Sequence, residues 1–265
     1  MPALARYTFV ARTAARQQWV YRGELWMRLL SMVLYMGIFV ALWSTVFAAR
    51  NGLPLSGYGL AEMAWYLAIT ETITLSSSRA FVTIAESVKS GDLVYTLTRP
   101  INYPLFQVAQ SLGDSVPRLV LNFLTAALVV CIGTGQWAGS GAGFLAFLGT
   151  ALLALILDAL VAVLIGLAAF WLEEVTPIFW IYQKLLFTVG GLFLPLEFFP
   201  NWLRGIAEWL PFRFIASAPA RAFVAFDPAE VASAVLGQLG YIAATTVLVS
   251  LIWRSARRRM VLHGG

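Results

Sequence analysis

Few residues in this chain could do chemistry, and most of them are embedded in apolar sequence. Glu62, Glu71, Asp158 and Lys184 fall inside long hydrophobic runs, with Asp114, Glu173 and Glu174 near the ends of such runs. Charges at that depth mark ion or proton paths, or else pair across helices and snorkel to the headgroups. Glu71, Asp158 and Lys184 are the deepest, and Lys184 is expected to neutralise an acidic partner. The one histidine, His263, stands among the last three residues, so a zinc site, a Ser-His-Asp triad and a histidine proton relay all lack their central residue. Ser76, Ser77 and Ser78 form a hydroxyl cluster whose expected work is capping and backbone hydrogen bonding, not catalysis. The two lysines, Lys89 in SVKSG and Lys184 in YQKLL, lack the glycine-rich Gly-Lys-Ser/Thr context of a phosphate-cradling loop. Any ATP-driven process would need a second polypeptide as its ATPase. Cys131, the single cysteine, lies in an apolar run, which excludes an intrachain disulfide and a zinc cluster and leaves packing as its role.

The elements that must position these groups are membrane-spanning helices. Of 265 residues, 60% are hydrophobic and 12% charged, where soluble domains carry about 25% charged residues. The apolar runs reach the roughly 20 residues a helix needs to cross a hydrocarbon core, and none alternates with the period of a barrel strand. The expected fold is an all-α membrane protein with six spans, at about 27–49, 60–78, 112–133, 142–170, 178–196 and 231–253. An even number puts both termini on one side. Arg6, Arg12, Arg16, Arg22 and Arg28 precede or open the first span, and Arg254, Arg257, Arg258 and Arg259 follow or close the last, so both ends are expected in the cytoplasm. The connector after the second span adds Arg79, Lys89 and Arg99, whereas the turn from Gly133 to Gly141 is uncharged; the first is assigned inside and the second outside.

Residues 197–230, with Arg204, Arg213 and Arg221 against Glu197, Glu208, Asp227 and Glu230, are also assigned outside. Within and before them, Leu194 to Phe214 is apolar but broken by Pro195, Pro200 and Pro211, and reads as one or two short re-entrant helices or as an interfacial loop helix. Trp26, Trp43, Trp65, Trp171, Trp180 and Trp253 lie near the proposed span ends, at the level an amphipathic ring prefers. The arginine-dotted N-terminal segment lacks an uninterrupted apolar core before Met27, so a helix retained on the cytoplasmic side is expected there in place of a cleavable signal. The net charge of +5 follows the spans rather than forming a soluble basic patch with interleaved aromatics, which argues for membrane topology and lipid contact and against nucleic acid.

The connector ESVKSGDLVYTLTRPINYPLFQVAQSLGD, Glu86 to Asp114, together with the six-span layout, the basic N-terminal segment and the proline-punctuated outer segment, resembles the permease subunits of ABC-2-type ATP-binding-cassette exporters. The resemblance covers essentially the whole chain. Its most specific part is GDLVYTLTRPINYPLF, which is similar to the family's Gly-(Asp/Glu)-Leu followed by Leu-x-(Arg/Lys)-Pro. PLEFFPNWLRGIAEWLPF resembles the family's short outer helices.

The resemblance implies a single permease domain over 1–265, with a cytoplasmic N-terminal helix in 1–26, a coupling-helix connector in 79–105 and an outer segment in 197–230. It implies two permeases, this chain with a second copy or a related chain, above two ABC ATPase subunits in a bacterial cytoplasmic membrane. The ATPases would bind ATP and Mg, and this chain no cofactor or metal. A coupling helix at about Ile84 to Leu97 would seat in the ATPase, with Asp92, Tyr95 and Arg99 as the main contacts, Glu86 and Lys89 beside them, and Gly91 and Pro100 setting the exit and return of the backbone. The pathway would be lined from the second and fifth spans, where Glu71, Thr74, Phe187, Gly190, Gly191 and Phe193 are the candidates; the two glycines read equally as helix packing. The aromatic and aliphatic character of those spans suits an amphiphile such as a lipid, glycolipid or hydrophobic drug. The competing reading is an ion-coupled secondary transporter or channel using Glu71 and Asp158, for which no internal repeat is evident.

Overall fold

The long apolar runs are helical, and proline or glycine marks several of the breaks between them, although Pro117 lies inside a helix and the break at residues 77–79 holds neither. In a computed structural model that describes residues 3–18, 22–98 and 101–263, the chain is 82% helical and holds no strand among those residues. In chain order the helices are α1 (Ala3–Gln17), α2 (Arg22–Ala49), α3 (Leu60–Ser76), α4 (Ala80–Ser90), α5 (Leu93–Leu97) and α6 (Tyr103–Thr134). They continue with α7 (Gly141–Leu167), α8 (Thr176–Thr188), α9 (Asn201–Trp209), α10 (Pro211–Ile215), α11 (Ser217–Val224) and α12 (Pro228–His263). Single 3-10 turns follow α7 and precede α9. Side-chain caps start the long ones: Asn102 accepts the Leu105 amide at α6, and Ser140 accepts the Gly143 amide at α7.

Among the described residues, four helices are long and apolar enough to cross a membrane: Trp26–Ala49 within α2, Tyr103–Thr134, Gly141–Phe170 and Pro228–Arg259. The other two expected spans are shorter than the sequence suggests. The expected span 60–78 ends as a helix at Ser76, after 17 residues, a rise of about 26 Å. The expected span 178–196 is helical only over Thr176–Thr188, 13 residues, or about 20 Å. Gly191 takes φ +76, the left-handed region that stops a helix, and Pro195 removes a donor. From there a bent, non-helical stretch runs beside α3, whose Tyr66 hydroxyl donates to the Gly191 carbonyl at 2.5 Å and Thr70 hydroxyl to the Leu192 carbonyl at 2.9 Å. Those bonds satisfy carbonyls that an apolar interior would otherwise leave unpaired.

The expected coupling helix 84–97 is likewise two pieces. α4 begins four residues earlier, at Ala80, and Gly91 (φ +79) caps its C-terminus before α5. Leu194 to Phe214 holds two short α-helices, α9 and α10, within the expected one or two, and α11 follows them in the outer segment. α9 presents Trp202, Ile206 and Trp209 outward, as an interfacial helix would, but α11 is buried, with Ala220 and Phe223 almost wholly enclosed between α3 and α7.

The bundle has two distinct ends. At one, Phe223 meets Trp65 and Trp137 at ring-centroid distances of 5.1 Å each, Phe123 stacks on Phe147 at 5.2 Å, and the Trp65 indole donates to the Gln136 carbonyl at 2.9 Å. At the other, Tyr103 stacks on Trp253 at 5.1 Å, and Arg259 donates to the Phe170 carbonyl at 3.3 Å. There α4 lies against α7 at Gly166, where a Cβ would stand only 2.8 Å from the Ile84 side chain. The same end receives α1, packed along α6. Gly113 makes this crossing possible, because a Cβ there would overlap the Ala11 backbone and the Ala14 side chain. Gln18 then bridges two residues of α6, donating to Asp114 at 2.8 Å and accepting from Arg118 at 2.9 Å.

Gly113→Leu is therefore expected to lift α1 from α6. In a Cys131→Ser background, a cysteine introduced by Ala14→Cys, at a position 4% exposed, should resist maleimide labelling with Gly113 present and react readily with Gly113→Leu.

Candidate functional site at the break between α3 and α4

The α3 C-terminus ends inside the bundle, where its last carbonyls need donors. Arg28 of α2 supplies one, its guanidinium donating to the Leu75 carbonyl at 3.0 Å, and a cation at a helix C-terminus is also favoured by the macrodipole. Ser77 turns the backbone to extended values and its amide bonds the Thr74 carbonyl. The Ser78 hydroxyl accepts the Ala80 amide at 3.1 Å, restarting the chain as α4, and pairs with the Ser111 hydroxyl of α6 at 2.8 Å. The Asn122 amide donates to the Ser76 hydroxyl at 2.9 Å. The serine cluster thus does the capping and backbone work its composition suggests.

Asp158, in the middle of α7, reaches the same break. It accepts the Tyr182 hydroxyl of α8 at 2.7 Å and lies close to Ser77 and Ser78. One buried carboxyl therefore joins α7, α8 and the α3–α4 break. No hydrogen bond or common partner links it to Glu71 among the described residues, although Glu71 is buried on α3. Lys184 does not take the acidic partner expected for it: among the described residues it is exposed, with its ammonium 5.8 Å from the Phe187 ring centroid. One turn of α8 carries the bonded Tyr182 inward and Lys184 outward.

A cleft of about 750 Å³ opens beside the break, between α2, α4, α6 and α8. Thr74 is the one pathway candidate that lines it. Phe187 and Phe193 lie elsewhere, edge to face at 3.9 Å. Gly190 and Gly191 are close-packed turn residues: a Cβ on Gly190 would overlap the Leu186 carbonyl, and one on Gly191 would stand 3.0 Å from the Tyr66 hydroxyl.

α4 buries Phe81, Ile84 and Ala85 against the bundle and turns Glu86 and Lys89 outward. Past Gly91 the buried Leu93 holds α5 in place, while Asp92, Val94 and Tyr95 are exposed, Tyr95 by 75%. Lys89 pairs with Glu174 of the α7–α8 connection at 3.2 Å. Thr176, through its hydroxyl and amide, and then Lys89 hold the Glu174 carboxyl down at about 2. Arg99 and Pro100 lie outside the described residues.

Three features escaped the sequence reading. Val94 lay within the expected coupling helix but was not named as a contact, Tyr182 was hidden among the aromatics of an apolar run, and Arg118 inside a span beside Pro117; only an arginine within apolar sequence was a signal that could have been followed.

A helical bundle with four described helices long and apolar enough to cross a membrane is the architecture of a multi-pass membrane protein. The family model of the ABC-2 family transporter protein matches residues 27–264, and the chain belongs to that family, as a permease of the ABC-2 type. No curated protein sequence matches the chain.

If Asp158 and Tyr182 form one unit, Asp158→Asn and Tyr182→Phe should each lower the thermal unfolding midpoint in detergent, while the double variant should be less destabilised than the two effects added. A coupling energy of about 0.5–1.5 kcal/mol is expected if the carboxyl is neutral and about 1.5–3 kcal/mol if it is ionised; additivity would show the two groups to be independent.

Proposed function

We propose that the chain is the transmembrane permease subunit of an ATP-driven ABC exporter, coupled to a separate ATPase and moving an amphiphilic substrate. The observation that carries this reading is the α4–α5 projection, rigidly seated on α7 through Gly166 yet presenting Glu86, Asp92, Val94 and Tyr95 to a partner. Membership of the ABC-2 family implies partnership with ABC ATPase subunits. In this reading the projection is the coupling connector and faces the cytoplasm with both termini, and the ATPase binds ATP and Mg.

The single permease domain crosses the bacterial inner membrane six times. α3 makes one of these crossings, and α8 with the non-helical stretch bonded to α3 makes another. A second permease, identical or related, completes the pathway, and α9 to α11 form the outer segment. Motion at α4 reaches α8 through the short path from the α3–α4 break to Asp158 and Tyr182. An ion relay through Glu71 and Asp158 draws no support from the structure, since no described residue connects the two carboxyls.

Purification of the tagged chain from its native membrane in mild detergent should yield a stoichiometric P-loop ATPase, identified by mass spectrometry, with ATPase activity. Val94→Asp combined with Tyr95→Ala should abolish that association while leaving the permease folded, because both side chains are exposed. Purification of the unaltered chain without any ATPase, under several mild conditions, would sink this reading.

A further inference from the structure

α8 packs inward through Tyr182 and Leu186 and turns one stripe outward: Pro177, Trp180, Ile181, Lys184, Leu185 and Thr188. Their spacing of three and four residues puts them on a single helix face. Lys184 stands at the centre of that stripe. Among the described residues its side chain makes no ion pair and no hydrogen bond, and its ammonium lies 5.8 Å from the Phe187 ring centroid.

The depth of that ammonium follows from the aromatic rings around it. Phe187 meets Phe193 at a centroid distance of 3.9 Å, and Phe193 meets Phe39, in the middle of the Trp26–Ala49 span, at 5.5 Å. From Thr176 to Lys184 the helix rises about 12 Å, away from the end of the bundle where Lys89 pairs with Glu174. A snorkelling lysine would reach back toward that end. Instead the ammonium lies beside Phe187, about one turn deeper.

A lysine held at mid-depth against hydrocarbon is costly, and intramembrane charges face a bundle interior or water. Lipid is therefore a poor cover for this stripe. A second copy packed tightly through it fares no better, because a two-fold contact would bring the lysines of both copies toward each other. The carboxylates such a copy could offer at that depth are turned inward: Glu71 and Asp158 are 4% and 3% exposed in their own bundle. Water held between α8 and the second permease satisfies the charge without either cost.

We propose that the outward stripe of α8 lines a water-filled pathway, and that Lys184 is the counter-charge there for an anionic group on the transported molecule. Trp180, Ile181 and Leu185, exposed beside it, offer apolar surface to the rest of that molecule. The ammonium is a compact charge with three donors, which serves phosphate and carboxylate oxygens alike. The proposal rests on the permease reading and narrows its amphiphilic substrate to negatively charged members.

The test uses the full chain in native membrane vesicles, with the subunits it carries there and without ATP. In a Cys131→Ser background, Ile181→Cys places a thiol one turn before Lys184, and Val247→Cys places one on the outward face of α12, at similar exposure (61% and 59%). Two charged methanethiosulfonates, the anionic ethylsulfonate and the cationic ethyltrimethylammonium, are applied to both membrane faces, and each rate is taken relative to a free thiol in solution. Ile181→Cys should react about tenfold faster than Val247→Cys and favour the anionic reagent about tenfold, as a fixed charge in a low-dielectric channel concentrates its counter-ion. The charge preference should vanish with Lys184→Gln and reverse with Lys184→Glu.

Ile181→Cys no more reactive than Val247→Cys would overturn the pathway, whether lipid or a packed second copy covers the face. A charge preference untouched by Lys184→Glu would overturn the counter-charge. The first comparison leaves Lys184 in place, so it stands even where a Lys184 variant fails to fold. Neither readout needs ATP or an ATPase, so the proposal can fail while a P-loop ATPase still co-purifies, and can hold where none does.

Discussion

The structure depends on one constraint: a backbone carbonyl released from a helix inside an apolar bundle must find a donor. Two helices break inside this bundle, and α3 takes part in resolving both breaks. Its Tyr66 and Thr70 bond the carbonyls released after α8, and its own end is closed by Arg28 from α2. A helix that must supply donors on one side and accept them at its end cannot face lipid broadly. Accordingly, Met63 to Ile73 is buried on every face, including the polar Thr70, Glu71 and Thr72.

The two ends of the bundle are stiffened differently. At the α9–α11 end, Phe223 is enclosed by tryptophan and phenylalanine rings, and Arg221 pairs with both Glu197 and Glu230 at 2.6 Å. The charge balance of that segment is thus partly local pairing. At the α4 end the contacts are a helix crossing at Gly166, an exposed Lys89–Glu174 pair, and a polar break tied to Asp158. Exposed ion pairs contribute little stability, so α4 is held mainly by shape against α7.

Much of the fold was legible because apolar length and charge position are one-dimensional quantities. The long runs in α2, α6, α7 and α12 and the breaking power of Pro195 could be read from residue order, whereas the expected helix 84–97 ran through Gly91, where the structure ends α4. The family was legible from GDLVYTLTRPINYPLF, and the family model over residues 27–264 bears it out. The burial of α11 was not legible, because its small residues and Phe223 are equally compatible with a surface helix until α3 and α7 are seen to leave a slot of that size.

The sequence by itself determined that helices span a membrane, where most of them lie, and which family the chain belongs to, since these follow from composition, periodicity and a contiguous motif. Only the tertiary structure decided where the charges work. Arg28, Arg79 and Arg118 come from positions far apart in the chain yet line one cleft, while Lys184, as deep in the sequence as Asp158, points away from the tyrosine that Asp158 bonds. The physical reason is helical rotation: at about 100° per residue, two positions on one turn face opposite environments, and which of them meets a partner depends on how the neighbouring helices cross.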